Sequence, residues 1–594
     1  MLVGVDTGGT FTDLVASDGR VVKICSTPAD PAQAVRAAVD ALGDDAPPAS
    51  LAHGTTVATN ALLERRGARV ALVANRGLAD VIEIARQVRP SLYDATVDRP
   101  EPLVPRTLRY EVGGRLDAGG RELEPVALDD LDAVPTDVDA VAVCLLHADL
   151  DPVHERAVAR ALRSRGIDVS CSHEVSPEFR EYERMVTTVA NAMLRPACRA
   201  YLRGISKLAD DVLVMTSGGG LVAADDAAEL PAALLLSGPA AGARAAAAVA
   251  TACGFGDAVS FDMGGTSTDV CLVQGGLPEP APARVVAGYP IRLPALDIHT
   301  IGAGGGSIAH LDPGGALTVG PRSAGAVPGP ACYGRGGAEP TVTDADLVLG
   351  RIDPDATFPD LGRLDAHAAR HALERTGIDA AGVVAVVDAA MEEAVRAVTV
   401  ARGVDPRELA LVAFGGAGPL HACAVADALE MRAVVVPPRA GALSAAGLMC
   451  SPRRRELVRS WPAPRDVDGL GRARESLAAE AAALVGDGAS VTTAVDCRYA
   501  GQSHELTVPD VDAFHAEHRR RNGFAREGAA VEVIALRVRA ETAAPLDLDD
   551  LPATARPRVH GPAVVVESDC TVWLSERWIA EPGALGAWIV RRSR

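Results

Sequence analysis

The sequence predicts an α/β protein: two related halves facing one cleft, with a smaller α/β domain at the C-terminal end. Three observations carry this. Short apolar runs alternate with helical patterns along the chain, as mixed sheets flanked by helices require. One eight-residue motif occurs twice, beginning at Asp6 and at Asp262. A glycine-rich crossing from a strand to a helix occurs late, at Gly415, Gly416 and Gly418.

The elements follow in order. Residues 2–5, 21–24, 70–74 and 140–146 read as buried strands, 31–42 and 152–163 as helices, and about 177–202 as a longer helix. The alternation restarts with a strand at 212–215, a turn at 218–220, a helix over about 239–250 and a strand at 258–261. Residues 302–337 are rich in Gly and Pro and are expected to be loop-dominated. A loop that long in a compact domain usually carries function. Helices near 365–376 and 383–402 and a strand at 409–414 come next, and residues 452–455 mark a boundary. Beyond it lie a helix over 469–485 and strands at 491–499, 531–540, 563–566 and 587–590. The expected domains are therefore 1–200, 201–452 and 453–594.

Composition narrows the function classes. A chain of 594 residues with 48% apolar and 23% charged residues buries an ordinary core. A net charge of −20 with 3% aromatics argues against a nucleic-acid binder and against docking on an anionic membrane. No apolar run reaches the 18 residues or so of a membrane-spanning helix. The N-terminus enters a strand directly, without the basic segment of a secretion signal. Eleven scattered cysteines without a CxxC pair read as reduced thiols rather than disulfides or a zinc site. A cytoplasmic protein is expected.

The repeated motif has specific chemistry. Asp6-Thr-Gly-Gly-Thr-Phe-Thr-Asp13 recurs as Asp262-Met-Gly-Gly-Thr-Ser-Thr-Asp269, each copy lying between two apolar runs. That pattern is a β-hairpin with a glycine turn. Gly8, Gly9, Gly264 and Gly265 allow close approach of an anion and aim N–H groups at it, and Thr10, Thr12 and Thr266 add hydroxyl groups. A carboxylate repels phosphate, so Asp6 and Asp262 are expected to hold a hydrated Mg²⁺ or orient the attacking group. Two facing hairpins would clamp the phosphates of one nucleotide. The crossing at Gly415, Gly416 and Gly418 suits an adenine or ribose lying flat on the backbone.

These three pieces resemble the ATPase fold of actin, Hsp70 and the sugar kinases, in which two ribonuclease H-like domains close over Mg-ATP. Longer motifs narrow the resemblance. The stretches 53–64 and 172–184, Leu236-Ser-Gly-Pro239, 301–308, 320–325 with Pro328-Gly-Pro330, and 497–503 are similar to signatures of the hydantoinase A/5-oxoprolinase family. The resemblance covers nearly the whole chain. It implies a subunit that uses ATP to phosphorylate the carbonyl of a cyclic amide (a hydantoin, 5-oxoproline or a lactam) for ring opening. A ketone carboxylase subunit and a self-contained small-molecule kinase are the alternatives. It also implies a hydantoinase B-like partner, where the family's metal ligands generally lie. The chain departs from the family pattern at Gly218, where Asn is common, and at Asp346, also commonly Asn.

Four further groups stand out. His53 follows an apolar strand and reads equally as a structural or a substrate-handling histidine. Glu178, Arg180, Glu181, Glu183 and Arg184 form a charge run that suits a solvated face or an interface. The pairs His367/His371 and His515/His518 sit about one helical turn apart, with no acidic residue pattern to complete a metal site.

Overall fold

Three strands that the sequence places next to one another, Leu2–Thr7, Phe11–Ala16 and Val21–Cys25, pair antiparallel in succession. Ser50–Thr55 then adds parallel to the first of them, and Asp211–Met215 parallel to Ser50–Thr55. With Leu221–Ala223 this completes a six-stranded sheet. The structure, a computed structural model, describes residues 1–593 apart from 28, 29, 45, 95, 359, 360, 553 and 554. The duplication extends well past the motif. Ala258–Met263 pairs antiparallel with Thr268–Gln274 and parallel with Ala410–Phe414, which is followed in parallel by Ala433–Val436. Each half is thus a hairpin with two further parallel strands beside its first strand.

The expected domain boundaries are redrawn by strand pairing. Asp211–Met215 belongs to the first sheet, so the boundary at 200/201 cuts through the first lobe. Residues 453–594 do not form one domain. Arg454–Ser460, Val531–Glu541, Ser490–Tyr499 and Leu506–Val508 make a separate antiparallel sheet that shares an apolar core with helix Leu470–Val485. The chain then returns, and Trp588–Arg592 pairs with Ala433–Val436 and extends the second lobe's sheet through Trp578–Pro582 to Val559–His560. Trp578 and Trp588, 1% and 2% exposed, fill the core of that lobe, which is why the returning strands dock there. An all-parallel four-stranded sheet, 168–171, 140–144, 70–75 and 109–112, is inserted into the first lobe.

Within 302–337 the expected loop contains an antiparallel hairpin, Ser307–Leu311 with Leu317–Ser323. The long helix begins at Glu181, four residues later than expected, because Arg180 has φ 80° and breaks the helical path. The charge run around it is no solvated face. Glu178 is buried and accepts Arg292 at 2.7 Å and Arg537 at 3.0 Å, while Arg180 pairs with Glu505 at 2.7 Å. Arg184, also buried, pairs with Asp149. The run therefore ties the inserted region to the C-terminal sheet. Such pairs specify geometry more than they stabilise it, since both charges lose water on burial.

Two helices cross between the lobes. Leu443–Met449 packs on strands Leu2–Thr7 and Ser50–Thr55 and against helix Gly238–Ala252, which in turn lies on Ala258–Met263. The crossing is close because its residues are small. A Cβ on Gly447 would meet the Ala241 carbonyl, one on Gly242 the Ser444 hydroxyl, and one on Gly4 the Ala445 carbonyl. The alanine-rich composition of 238–252 reflects that spacing. Gly4→Ala is expected to cost about 1–3 kcal/mol through overpacking, seen as a lower calorimetric midpoint. Gly256→Ala, whose Cβ would meet nothing within 4 Å, should leave the midpoint unchanged or slightly raised.

Candidate functional site

Alternation along the strands builds the site. Val5 and Leu14 face each other and are fully buried, so Asp6 and Asp13, one residue further along, face each other on the opposite side of the sheet. Phe261 and Val270 do the same for Asp262 and Asp269. In the first lobe the row continues outward, with Lys23 opposite Asp13. In the second lobe the matching position opposite Asp269 is Thr300. Lys23 Nζ lies 2.5 Å from Asp13, and the Thr300 hydroxyl donates to Asp269 at 2.5 Å.

The two hairpin turns meet tip to tip. The hydroxyl oxygens of Thr10 and Thr266 are 3.2 Å apart. A Cβ on Gly265 would touch Thr10 Oγ1 at 2.7 Å, and one on Gly9 would lie 3.6 Å from Thr266 Oγ1, so each turn receives the other's threonine. Behind the second turn, the 302–306 loop closes the wall: Gly305 N donates to Gly264 O at 3.0 Å and Gly306 N to Gly265 O at 2.6 Å. The Gly/Pro-rich zone thus buttresses a turn of the cleft.

The cleft wall brings together Asp6, Gly8, Gly9, Thr10, Asp262, Gly264, Gly265, Thr266, Gly415 and Gly416. Two expected site residues lie elsewhere. Thr12 is fully buried and its hydroxyl is 3.0 Å from the Ser26 hydroxyl, because position 12 faces the core side of its strand. Gly418 begins helix Gly418–Ala428, where a Cβ would press on Phe261 O at 3.3 Å, so its smallness serves packing. Gly415, at φ 80°, brings its loop against Asp262, while a Cβ on Gly416 would meet nothing within 4 Å and faces open space. The sequence reading passed over Asp13, Asp269, Lys23, Ser444 and Asp569, all of which line the cleft. For Asp13 and Asp269 the signal was present, since each closes its copy of the motif. Asp569 comes from the turn between Ala563–Val566 and Thr571–Leu574, and its carboxylate accepts Gly441 N at 2.8 Å. No spacing could have shown that.

Of the five aspartates that line the cleft, four stand on the hairpins, Asp6 with Asp13 and Asp262 with Asp269. Burial, then the neighbouring Asp13 charge, pushes Asp6 up to about 7 against the pull of Lys23. Burial, then Asp269 and Asp6, holds Asp262 well above the usual carboxylate range. Burial lifts Asp269 to about 6 despite the Thr300 hydroxyl. Burial also raises Asp13, with Lys23 opposing. Their raised proton affinity reflects carboxylates buried beside one another. At the cleft's far end Tyr333, Ile352, Phe358, Leu361, Leu364 and Leu420 make an apolar wall.

The histidines sort by burial. His53 is buried, with Nδ1 2.9 Å from Val5 O and Nε2 2.6 Å from the Tyr201 hydroxyl, and burial lowers it to about 4. It is a neutral structural group beneath the first strand. His367 and His371 are exposed on helix Ala366–Thr376. His515 and His518 bond Tyr499 and the Phe524 carbonyl inside the C-terminal domain. Asp346 pairs with buried His421 at 3.2 Å, and Asp388 holds the other ring nitrogen at 2.7 Å. Burial alone would lower His421, but the two aspartates outweigh it and push it to about 10. The acidic residue at 346 thus anchors helix Gly418–Ala428 behind the Gly415–Gly416 loop.

Comparison with known proteins agrees with this architecture. The hydantoinase/oxoprolinase family model matches residues 184–456, and the model of that family's N-terminal region matches residues 2–166. The caprolactamase subunit alpha of Pseudomonas jessenii is 35% identical, over 90% of this chain and 86% of its own. The 5-oxoprolinase 1 of Arabidopsis thaliana is 35% identical over 75% of this chain, which spans only 41% of that longer protein. The crystal structure of the ATP-dependent caprolactamase from Pseudomonas jessenii superposes with a TM-score of 0.83 at 30% identity, covering 100% of both chains.

The crowded carboxylates make a pH prediction. The native state keeps Asp6 protonated up to about pH 7, whereas the unfolded chain ionises it near 3.8. Between those values folding takes up a proton, so Asp6 costs more stability as the pH rises. Without nucleotide or divalent cation, Asp6→Asn should therefore raise the thermal midpoint at pH 8. The gain should shrink as the pH falls from 7 towards 4. An Asn variant less stable than the parent at pH 8 would contradict the crowding.

Proposed function

The chain belongs to the hydantoinase/oxoprolinase family, and from that premise we propose that it is the ATP-using subunit of an enzyme that opens cyclic amides. The observation that carries the reading is the meeting of two mirrored hairpins through Thr10 and Thr266, with four aspartates behind their turns. Gly416, whose Cβ position faces open space, leaves backbone free for a flat ligand, and the apolar wall from Tyr333 to Leu420 suits a nucleotide base.

The chemistry sets the roles. Amide resonance makes a lactam carbonyl a poor electrophile, and transfer of a terminal phosphoryl group to its oxygen creates a leaving group. Water then adds to the activated carbon, and the ring C–N bond breaks with the nitrogen taking a proton. A second water hydrolyses the resulting acyl phosphate to carboxylate and inorganic phosphate. In this reading backbone N–H groups of the turns at Gly8–Thr10 and Gly264–Thr266 cradle the phosphates. Asp6 and Asp262 would hold Mg²⁺, which would supply positive charge against the charge that builds during transfer. Ser444, whose hydroxyl is 3.4 Å from Asp262, orients that carboxylate. The two helices with small contact residues form the pivot on which the lobes close.

A hydantoinase B-like partner belongs to the proposal. One relative is named as a subunit, and another carries more than half of its length beyond the matched region. The cleft supplies phosphate turns and carboxylates, and the partner would supply the group that activates water.

Three outcomes are expected. Asp6→Ala and Asp262→Ala should each lower ATP-dependent ring opening about 100-fold or more, as losing a transition-state contact does; near-normal turnover in both would refute their roles. The chain alone should bind ATP yet show little turnover with hydantoins, oxoproline or lactams until the partner is added. Stoichiometric ring opening by the isolated chain would point to a self-contained enzyme. Mg-ATP should also shift small-angle scattering towards a more closed form, and an unchanged profile at saturation would count against lobe closure.

A further inference from the structure

Lysine is almost absent from this protein. Of its 58 Lys and Arg residues only Lys23 and Lys207 are lysines. Lys207 is exposed just beyond the long helix Glu181–Ile205. Lys23 is 12% exposed and is the sole Lys, Arg or His among the described residues lining the cleft. A chain that meets nearly every other need for a cation with arginine uses an ammonium where the two lobes face each other.

The geometry gives that choice a physical reason. Lys23 stands third in the row Asp6, Asp13, Lys23, on three adjacent strands of the first lobe. The equivalent row in the second lobe is Asp262, Asp269, Thr300. The duplication is therefore broken at one position, where one lobe has a cation and the other a hydroxyl. Lys23 Nζ donates to Asp13 at 2.5 Å and to Gly441 O at 3.2 Å, and its stem lies against Phe11, with Nζ 5.1 Å from the ring centre. An ammonium has three N–H donors, so one is left for a ligand. A guanidinium is planar and wider and presents its donors in a fixed fork. In place of the ammonium, that fork would have to fit among Asp13, Phe11 and Gly441.

We propose that Lys23 is the residue that contacts the terminal phosphate of the nucleotide, and that it gives the otherwise symmetric pair of hairpins its polarity. The proposal rests on the reading of the cleft as a nucleotide site. Three aspartates of the two rows, Asp6, Asp262 and Asp269, have no cationic side chain of their own in the cleft, so Lys23 is where the protein itself can offset phosphate charge. Asp13 keeps the ammonium aimed and Gly441 sets its height. Because Gly441 N is held by Asp569, the returning C-terminal strands help to position the contact.

Two lysines make the test direct. An acyl phosphate of ATP, carrying a reporter acyl group on the terminal phosphate, transfers that group to a nearby amine; an amide bond forms, the acyl–oxygen bond breaks and ATP is released. Applied to the wild-type chain, it should label Lys23, with protection by excess ATP, and leave Lys207 as the unlabelled reference in peptide mass spectra. Labelling of Lys207 alone, or labelling of Lys23 that ATP does not prevent, would overturn the proposal. The second measurement compares affinities by calorimetry. Lys23→Met should weaken binding of a non-hydrolysable ATP analogue about 10-fold or more while changing ADP affinity by less than about 3-fold. An equal loss for both nucleotides, or no loss for either, would overturn the terminal-phosphate contact. Lys23→Arg should not restore the analogue's affinity, and full rescue by arginine would remove the steric half of the argument. If the wild-type chain binds neither nucleotide, the cleft reading itself fails. If it binds both and Lys23→Met behaves as the parent does, only the Lys23 assignment fails. If the variant does not fold, the labelling of the wild-type chain still decides.

Discussion

The mutual approach of two hairpin turns, sealed by the 3.2 Å contact of Thr10 with Thr266, forces four carboxylates into one space. Burial raises Asp6 and Asp262 well above their usual range, and the neighbouring like charges add to it. The rest of the molecule holds this arrangement together. Two extensive cores brace the hairpins from behind, and the 302–306 loop clamps the second turn by backbone hydrogen bonds to Gly264 and Gly265.

The lobes meet through helices chosen for small surfaces. Gly4, Gly242 and Gly447 each lie where a methyl group would strike backbone or a neighbouring side chain of the other element. Close helix contacts of this kind leave few bulky side chains to interlock, which permits small rotations of one lobe on the other. That is the mechanical counterpart of the proposed closure around a nucleotide. The buried ion network of Glu178, Arg292, Arg537 and Glu505 acts elsewhere, fixing the C-terminal sheet to the first lobe's insertion.

The C-terminal segment has two roles at once. Residues 454–541 build a domain with its own core around Tyr499, Phe514 and Leu536. The strands after residue 558 instead complete the second lobe and carry Asp569 to the cleft edge. The second lobe is therefore finished only when the last strands of the chain are in place, and the loop at Gly441, on which Lys23 rests, depends on that last step.

The sequence by itself determined the α/β class, the duplication and its strand–turn–strand geometry, because these are written in local periodicity and in a repeated motif. Eight of its turn and loop glycines and threonines do line one cleft with Asp6 and Asp262, because each belongs to a copy of the motif or to the strand-to-helix loop beside it. Thr12 was misplaced because alternation sends that position to the core, and Gly418 because a glycine before a helix serves packing as readily as binding. Tertiary structure alone decided what faces what across the cleft. The support from Asp569 more than 120 positions after Gly441, and the burial of His53, Glu178 and Arg184, arise from contacts between distant segments. Such contacts are set by how whole sheets pack, and no residue type or short spacing encodes them.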